Sequence, residues 1–238
     1  MIWSRVANLS SNADNTTSFP RVVPAGDSAI LIELGSEIDP TVNDQVYSLA
    51  SDIENTNING VTELVPTYRS LLVNYDPMAI GFNEMHDVMN QIVENHSNRE
   101  STDFEPVVIE LPVVYGGEDG PDIENVAGYA GISAAEVIEI HSSTDYRVYM
   151  IGFAPGFPYL GGLDERIATP RLKTPRVLVP AGSVGIAESQ TGVYPNASPG
   201  GWQLIGRTAT KLFDVNSPKP SKITPGSRVR FVPVDAYE

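Results

Sequence analysis

Glycine and proline interrupt the chain after residue 142 so often that no long helix fits there. The segments between them are short and rich in β-prone residues. They occupy positions 147–151, 177–179, 184–187, 202–205 and 229–232. Short strands separated by turn residues are typical of a β-barrel or β-sandwich. The sequence therefore predicts a β-rich domain in the second part of the chain.

The first part alternates strand-like runs with amphipathic helices. Asp39-Pro40 is typical of a helix N-cap followed by proline at the first helical position. Apolar residues then recur at spacings of three and four, at Val42, Val46, Leu49, Ala50 and Ile53. A second such face comprises Met85, Val88, Met89, Ile92 and Val93, and strand-like runs lie at 29–34, 62–65, 70–75 and 107–114. This βαββαβ order predicts a ferredoxin-like domain, although the last strand also fits the next domain.

Polar segments set the expected boundaries. Residues 1–20 are rich in Asn, Ser and Thr and predict a flexible tail. The polar stretch 95–104 predicts a boundary between a domain at 21–98 and one at 104–238. In the second domain Ser133 and Glu136 form a capping box, which indicates a helix with His141 on its apolar side. Tyr68, between two strands, is predicted to contact the other domain.

Charge and composition exclude several classes of function. The chain has 238 residues, a formal charge of −15 and no cysteine, which argues against nucleic acid and anionic membrane partners and removes disulfides and thiol chemistry. No apolar run is long enough to cross a membrane, so we expect a cytoplasmic protein. Residues 1–140 carry 23 acidic and 4 basic side chains, whereas 141–238 carry 7 and 11. The acidic first part is equally compatible with adaptation to salt, and an anionic ligand would be expected in the second part.

Motifs that complete a catalytic site by themselves are absent from the sequence. It contains no GxxxxGK[ST] or GxGxxG phosphate loop, no GxSxG nucleophile elbow and no HExxH spacing. Its three histidines are dispersed, so we expect no metal site within this chain. Any activity is expected to depend on loops that place polar groups precisely.

One dense region supplies such loops. It comprises Gly152-Phe-Ala-Pro-Gly-Phe-Pro-Tyr-Leu-Gly-Gly-Leu163, Pro170-Arg-Leu-Lys-Thr-Pro-Arg176, Val179-Pro-Ala-Gly-Ser183, Gln190-Thr-Gly-Val-Tyr-Pro195, Ser198-Pro-Gly-Gly-Trp202 and Gly206-Arg-Thr208. Glycine lets the backbone approach a ligand and proline fixes loop shape, so these loops are compatible with a preorganised pocket. They are equally compatible with a tight β fold that needs many turns.

These blocks resemble the carboxyltransferase C and D subdomain family, which includes the B subunit of 5-oxoprolinase, the Kip kinase inhibitor and allophanate hydrolase subunit 1-type proteins. Gly26-Asp-Ser-Ala-Ile-Leu-Ile-Glu33 and Val65-Pro-Thr-Tyr-Arg-Ser-Leu-Leu-Val73 extend the likeness to the first domain, over about residues 22–233. Glu188-Ser189 and Ala209 depart from the family pattern. The resemblance implies an α+β protein with a ferredoxin-like N-terminal domain and a cyclophilin-like β-barrel C-terminal domain.

The resemblance also implies a reaction, in which 5-oxoproline is opened to L-glutamate with ATP. This chain would be the B-type polypeptide of the enzyme and would be inactive alone. It would share an ATP site, with Mg²⁺, with a C-type polypeptide (allophanate hydrolase subunit 2-like), and an A-type polypeptide would complete the conversion. Two alternatives stay open: a regulator that inhibits a sensor histidine kinase, and a subunit of a urea- or allophanate-metabolising enzyme.

Candidate site residues come from the Gly/Pro-rich region and from the preceding helix. Forked guanidinium groups suit carboxylate or phosphate oxygens, and histidine titrates near neutral pH. We predict catalytic roles for His141, Arg207 and Gln190, with a place in the core as the alternative for His141. Predicted substrate or ATP contacts are Phe153, Pro155, Gly156, Tyr159, Arg171, Lys173, Arg176, Ser183, Tyr194, Ser198, Gly200, Gly201 and Trp202. The aromatic residues among them are also compatible with packing alone.

Overall fold

The structure, a computed structural model, describes residues 18–97 and 106–237. We call 18–97 the N-terminal unit and 106–237 the barrel unit. Most of the predicted flexible tail at 1–20, and most of the predicted boundary at 95–104, lie outside the described residues. None of the helices within the described ranges is both long and apolar enough to span a bilayer.

The N-terminal unit is a four-stranded antiparallel sheet covered by two helices. Its elements are β1 (Arg21–Pro24), β2 (Ala29–Glu33), α1 (Pro40–Thr56), β3 (Val61–Pro66), β4 (Ser70–Tyr75) and α2 (Phe82–Ser97). The strand order is β1-β2-β4-β3. Asp39 caps α1 as predicted, because its carboxylate accepts from the backbone N–H groups of Thr41 and Val42. Ile30, Ile32, Leu71 and Val73 pack against Val46, Leu49, Ile53, Met85 and Met89, so both helices cover one face of the sheet.

The βαββαβ order does not hold for this unit, and the alternative prediction, that the last strand belongs to the next domain, is confirmed. The run predicted at 107–114 forms a strand, but that strand lies in the barrel unit, and β1 takes the edge position beside β2. The alternation of 107–114 indicates a half-buried strand without showing which sheet it joins. Strand β1 has only four residues and ends at a proline, so it gives no recognisable strand pattern.

The barrel unit is a closed seven-stranded barrel with two helices beside it. The barrel strands are β5 (Val108–Tyr115), β6 (Asp145–Ile151), β7 (Pro158–Gly161), β9 (Ser183–Ala187), β10 (Gln190–Val193), β12 (Gln203–Arg207) and β13 (Arg228–Pro233). Their order is β10-β7-β6-β13-β5-β12-β9. The other elements are α3 (Ile123–Ala130), α4 (Ala134–Ser142), a 3-10 turn at Glu165–Ile167, and a two-stranded ribbon of β8 (Arg176–Val179) and β11 (Ser198–Gly200). The predicted β-barrel and the capping box at Ser133 and Glu136 are both present.

Polar contacts join the two units. The buried Asn43 side chain on α1 donates to the backbone oxygen of Tyr149 at 3.2 Å, and the hydroxyl of Tyr47 donates to the same oxygen at 2.6 Å. Arg147 on β6 pairs with Asp44. The Tyr68 ring lies 5.3 Å from the Tyr149 ring, which confirms the predicted contact of Tyr68 with the other domain.

Candidate functional site

An open cleft of about 350 Å³ lies between α3 and the loop that precedes β8. Residues 169–173 form one wall, Asn125 and Tyr129 of α3 form another, and Gln203 at the start of β12 also lines it. Asn125 and Tyr129 are four residues apart and so share one helical face. The volume is at the small end of ligand pockets, which favours a small molecule over a macromolecule.

Hydrogen bonds to neighbouring strands hold the 169–173 wall in place. The Leu172 N–H donates to the Gly201 carbonyl at 2.7 Å, and the Glu188 N–H donates to the Thr169 carbonyl at 2.7 Å. The Gln203 Nε2 group donates to the Pro170 carbonyl at 2.9 Å. The loop is therefore fixed along its length before any ligand binds.

Gln203 is the polar residue of the cleft whose bonding is incomplete. It is 7% exposed, and its Oε1 has no hydrogen-bond partner among residues 18–97 and 106–237. The orientation of the amide is fixed, because the Pro170 carbonyl can only accept and so must face the Gln203 nitrogen. An unpaired buried acceptor costs about 1–3 kcal/mol. Sequence reasoning missed Gln203, since no residue type or spacing indicates that an acceptor will lack a donor.

Arg171 and Lys173 bring two positive charges to the same cleft. Arg171 lies with its guanidinium carbon 6.0 Å from the Trp202 ring centroid, and its Nε is 3.9 Å from the exposed Glu188 carboxylate. Lys173 is exposed and makes no ion pair within the described part of the chain. Both predicted anion-binding residues therefore keep donors available for a ligand.

Arg176 is committed to a structural ion pair instead. Its Nη2 lies 2.7 Å from Oδ1 of Asp122, which is 3% exposed, and its Nη1 donates to the Trp202 carbonyl at 3.3 Å. The other carboxylate oxygen of Asp122 accepts from the Leu204 N–H at 2.7 Å. This pair fastens the start of α3 to β12 and β8, so Arg176 positions the cleft and has little freedom to bind a ligand.

The aromatic cluster, defined as Phe157, Tyr159, Tyr194 and Trp202, supports the cleft from behind. Ring centroids of Phe157 lie 5.3, 5.5 and 5.7 Å from those of Tyr159, Tyr194 and Trp202, all in edge-to-face arrangements. Phe157, Tyr194 and Trp202 are at most 7% exposed, and burial raises the pKa of Tyr194. Packing is therefore the main role of these three residues. Trp202 does not line the cleft, but its ring lies near Arg171, which does.

Glycines beside the cluster are required by its close packing. A Cβ on Gly200 would lie 2.4 Å from the Tyr194 hydroxyl oxygen. Gly201 has its carbonyl occupied by Leu172, and Ser198 pairs with Val179 in the ribbon. These three predicted contacts thus shape the wall, and none of them lines the cleft.

The turn at 153–156 adjoins the cluster, with the Phe153 ring centroid 5.4 Å from that of Phe157 in an edge-to-face arrangement. Phe153 is 69% exposed and has a positive φ of 59°, a backbone conformation that is strained for an aromatic residue. Pro155 is exposed, and Gly156 has a φ of 82° with Phe213 packed against it. None of the three lines the 169–173 cleft.

Arg207 and Ser183 lie at the opposite end of the β9–β12 pair from Gln203. Arg207 pairs with Ser183, and Gln203 pairs with Ile186. Gln203 and Arg207 are four positions apart on the strand, a distance of about 13 Å. The Arg207 Nε donates to the Ala181 carbonyl at 2.9 Å, and Ser183 is 2% exposed. The structure therefore does not bring Arg207 together with Arg171 and Lys173.

Gln190 and Tyr159 lie at the junction of the two units. The Gln190 Nε2 donates to the Tyr68 hydroxyl oxygen at 2.9 Å, and the Tyr68 ring lies 6.0 Å from that of Tyr159. Burial raises the pKa of Tyr68 to about 12, and the hydrogen bond from Gln190 lowers it in part. Tyr68 is thus a neutral hydroxyl near pH 7. Gln190 serves as a contact between the units in this arrangement.

His141 lies in the barrel core, the position given above as the alternative to a catalytic role. It is fully buried, its Nδ1 is 2.8 Å from the Tyr115 hydroxyl and its Nε2 is 2.8 Å from the Thr191 hydroxyl. Its ring stacks on Phe231 with centroids 4.6 Å apart. Both ring nitrogens are occupied, so no ligand on the surface can reach them.

Burial of His141 predicts a loss of stability in mild acid. Desolvation lowers its pKa to about 3, so the unfolded chain binds a proton in a range where the folded chain does not. The contribution of His141 to the free energy of unfolding is therefore complete above the unfolded pKa of about 6.5 and is lost as the pH falls towards 3. Between pH 7 and pH 5 the free energy of unfolding should fall by about 2 kcal/mol. Urea titrations at these two pH values should show this difference. His141→Gln should reduce it and His86→Gln should not; equal pH dependence in all three proteins would contradict the assignment.

A second cleft, of about 390 Å³, is formed by the loop at 211–222. It contains Lys211, Lys219 and Lys222, and Lys211 is already paired with Asp214 at 2.7 Å. No buried polar side chain of this cleft is left without a partner in the described ranges. Within the same ranges, no three His, Asp or Glu side chains gather in a way that could hold a metal ion. The cleft of Arg171, Lys173 and Gln203 is therefore the stronger candidate.

Comparisons with known proteins extend over both units. Residues 20–223 match the family described as carboxyltransferase domain, subdomain C and D. The chain is 45% identical to the B subunit of 5-oxoprolinase from Bacillus subtilis, covering 87% of this chain and 90% of that protein. A crystal structure of a conserved uncharacterized protein from Pyrococcus horikoshii is 52% identical, with a TM-score of 0.54 and coverage of 90% of this chain and 98% of that one. Urea amidolyase of Saccharomyces cerevisiae is 26% identical, covering 90% of this chain but 13% of that protein.

Proposed function

Because the chain belongs to the carboxyltransferase C and D subdomain family, we propose that it is the B subunit of a heteromeric 5-oxoprolinase. The observation that carries the proposal is its 45% identity to the B subunit of a 5-oxoprolinase along nearly the whole of both chains. The likeness to urea amidolyase is weaker and involves a small part of a much longer protein, so the urea-metabolising alternative is less favoured.

The proposed substrate, 5-oxoproline, matches the chemistry of the cleft. It is a small ring with one carboxylate and one amide. Arg171 and Lys173 lie in the cleft with free donors, and cationic side chains form strong, charge-assisted hydrogen bonds to carboxylates. A pocket of about 350 Å³ suits a molecule of this size.

ATP is proposed as the second substrate, bound at a site shared with a partner chain. It would supply a phosphoryl group to the amide oxygen and so make the ring carbon more electrophilic. The sequence contains no phosphate-binding loop, which favours a partner as the main holder of the nucleotide and its Mg²⁺. The role that we assign to this chain is to bind and orient the 5-oxoproline carboxylate.

An assembly of several chains is supported by the Bacillus subtilis relative, which is one subunit of its enzyme. We propose a C-type partner, which is allophanate hydrolase subunit 2-like, and an A-type partner, both in the cytoplasm. We also propose that the N-terminal unit is a variant of the ferredoxin-like fold and that the barrel is cyclophilin-like. The first of these is supported by β2, α1 and β3, which form a split βαβ with β4 between the two strands.

The test is reconstitution. Glutamate and ADP release from 5-oxoproline and ATP should require this chain together with its C-type and A-type partners. Omitting this chain should reduce the rate to that of the other chains alone, and this chain alone should show none. The reaction is followed by coupled detection of both products.

Three results would redirect the proposal. Full turnover without this chain would favour the regulator hypothesis, which is then tested by sensor kinase autophosphorylation with this chain at stoichiometric amounts. Turnover by this chain alone would contradict the shared site. Turnover of urea in place of 5-oxoproline would favour the amidolyase alternative.

A further inference from the structure

The cleft formed by the loop at 211–222, which we call the lysine cleft, collects most of the lysines of the chain. Lysine occurs four times in the sequence, at positions 173, 211, 219 and 222. Lys211, Lys219 and Lys222 all line this cleft of about 390 Å³. Because the whole chain has a formal charge of −15, three lysines around one cleft indicate a local requirement for positive charge.

The loop that carries these lysines is fixed at both ends and across its middle. Leu212 and Ile223 are at most 1% exposed and belong to the barrel core. The Lys222 N–H donates to the Leu212 carbonyl at 2.8 Å, and the Asp214 N–H donates to the Pro220 carbonyl at 2.8 Å. The backbone of the loop is therefore ordered before a ligand binds, which reduces the entropy lost on binding.

The charges of the lysine cleft favour a ligand with several negative charges. The Lys211 Nζ lies 2.7 Å from the Asp214 carboxylate. Lys219 and Lys222 are exposed and make no ion pair within the described ranges. Three lysines against one aspartate leave the lining with two positive charges in excess. A ligand with one negative charge would neutralise only part of that excess, so a multiply charged anion is attracted more strongly.

The residue types of the lysine cleft are suited to phosphate groups. An ammonium group is a compact charge with three donors on a flexible stem, so lysines at separate positions of a loop are able to reach oxygens that point in different directions. Ser217 also lines the cleft, and its Oγ accepts from the Lys219 N–H at 3.3 Å. Since a hydroxyl also has a proton to donate, Ser217 is able to bond a phosphate oxygen as well.

We propose that the lysine cleft binds a ligand with at least two linked phosphate groups, held by Lys219 and Lys222 with Lys211 as a third cation. Linked phosphates supply several charges within one small molecule, and a cleft of this volume suits a small molecule. The proposal depends on the charge and geometry of the loop and is independent of the reaction assigned above. ATP is one ligand of this class and inorganic oligophosphate is another.

The experiment is calorimetric titration of the full chain, alone and assembled with its partner chains, with tripolyphosphate, ATP and AMP at low ionic strength. Tripolyphosphate and ATP should bind, and AMP should bind at least about 10-fold more weakly, because its single phosphate engages fewer lysines. Added NaCl should weaken binding, since exposed charges are screened. Tighter binding of ATP than of tripolyphosphate would support a nucleotide as the ligand, and the reverse order would support inorganic oligophosphate.

The variant that tests the lysines combines Lys219→Gln with Lys222→Gln. It should bind tripolyphosphate at least about 10-fold more weakly than the unaltered protein, because two charge-assisted contacts are lost. The matched control, Arg21→Gln with Arg166→Gln, removes the same net charge from two ion pairs outside the cleft. It should bind tripolyphosphate within about 2-fold of the unaltered protein.

Four results would overturn the proposal. The first is no binding of tripolyphosphate by the unaltered protein, alone or assembled, which needs no variant to fold. The second is equal weakening in the two double variants, which would assign binding to net charge. The third is AMP binding as tight as tripolyphosphate binding. The fourth is binding by the chain alone that is lost in the assembly, which would show that a partner chain covers the lysines. Glutamate release by the unaltered assembly tests the proposed function separately.

Discussion

Removing both cations of the cleft, with Arg171→Gln and Lys173→Met, is expected to lower kcat/KM for 5-oxoproline by roughly 100-fold in the assembled enzyme. Both side chains line the cleft and neither is tied up in a hydrogen bond to a described carboxylate. Their loss removes charge-assisted bonds to the substrate carboxylate. Initial rates of ADP release at varied 5-oxoproline concentrations measure the effect.

The matched control removes two arginines elsewhere. Arg21 pairs with Glu33 in the N-terminal unit, and Arg166 pairs with Asp164 in the barrel unit. The Arg21→Gln, Arg166→Gln protein has the same net charge as the test variant and should keep its kcat/KM within about 2-fold, since exposed ion pairs contribute little. Equal losses in both proteins would point to a general charge effect and would contradict the assignment of the cleft.

Truncating Phe157 to alanine is expected to destabilise the protein by about 3–5 kcal/mol. Phe157 is 3% exposed and its ring touches those of Tyr159, Tyr194 and Trp202. Alanine would leave a cavity at the centre of the aromatic cluster. Urea unfolding followed by tryptophan fluorescence measures the change in the free energy of unfolding.

Phe153→Ala is the control for this loss of stability, because it removes another phenylalanine ring four residues earlier in the chain. Phe153 is 69% exposed, so its truncation should change stability by less than about 1 kcal/mol. If the two variants lose the same stability, then Phe157 is not the centre of a packed cluster.

Sequence reasoning succeeded where the signal is local. The N-cap at Asp39 and the capping box at Ser133 and Glu136 depend on residues within three positions of each other, and both helices begin as predicted. Helix α3 was not predicted, and Asp122 at its start makes no side-chain cap hydrogen bond. That carboxylate binds Arg176 and the Leu204 N–H instead, partners more than 50 positions away along the chain.

In the candidate site, too, local signals are visible in the sequence and long-range contacts are not. Arg171 and Lys173 are predicted as ligand contacts because they are cations in loops rich in glycine and proline, and both line the cleft. Arg207 has the same sequence signal, yet β12 carries it to the other end of the strand from Gln203. Gln203 has no sequence signal, since its importance depends on burial and on one unpaired oxygen. Such properties arise from tertiary packing alone.

The position of β13 in the barrel has a consequence for biosynthesis. β13 lies between β5, to which it is parallel, and β6, and Arg230 contacts Glu110, 120 positions earlier. A ribosome therefore releases β5, both helices and the other barrel strands before the strand that closes the ring exists. The N-terminal unit, whose strands pair within its own segment, is able to fold first, whereas the nascent barrel exposes two open edges until β13 has left the ribosome.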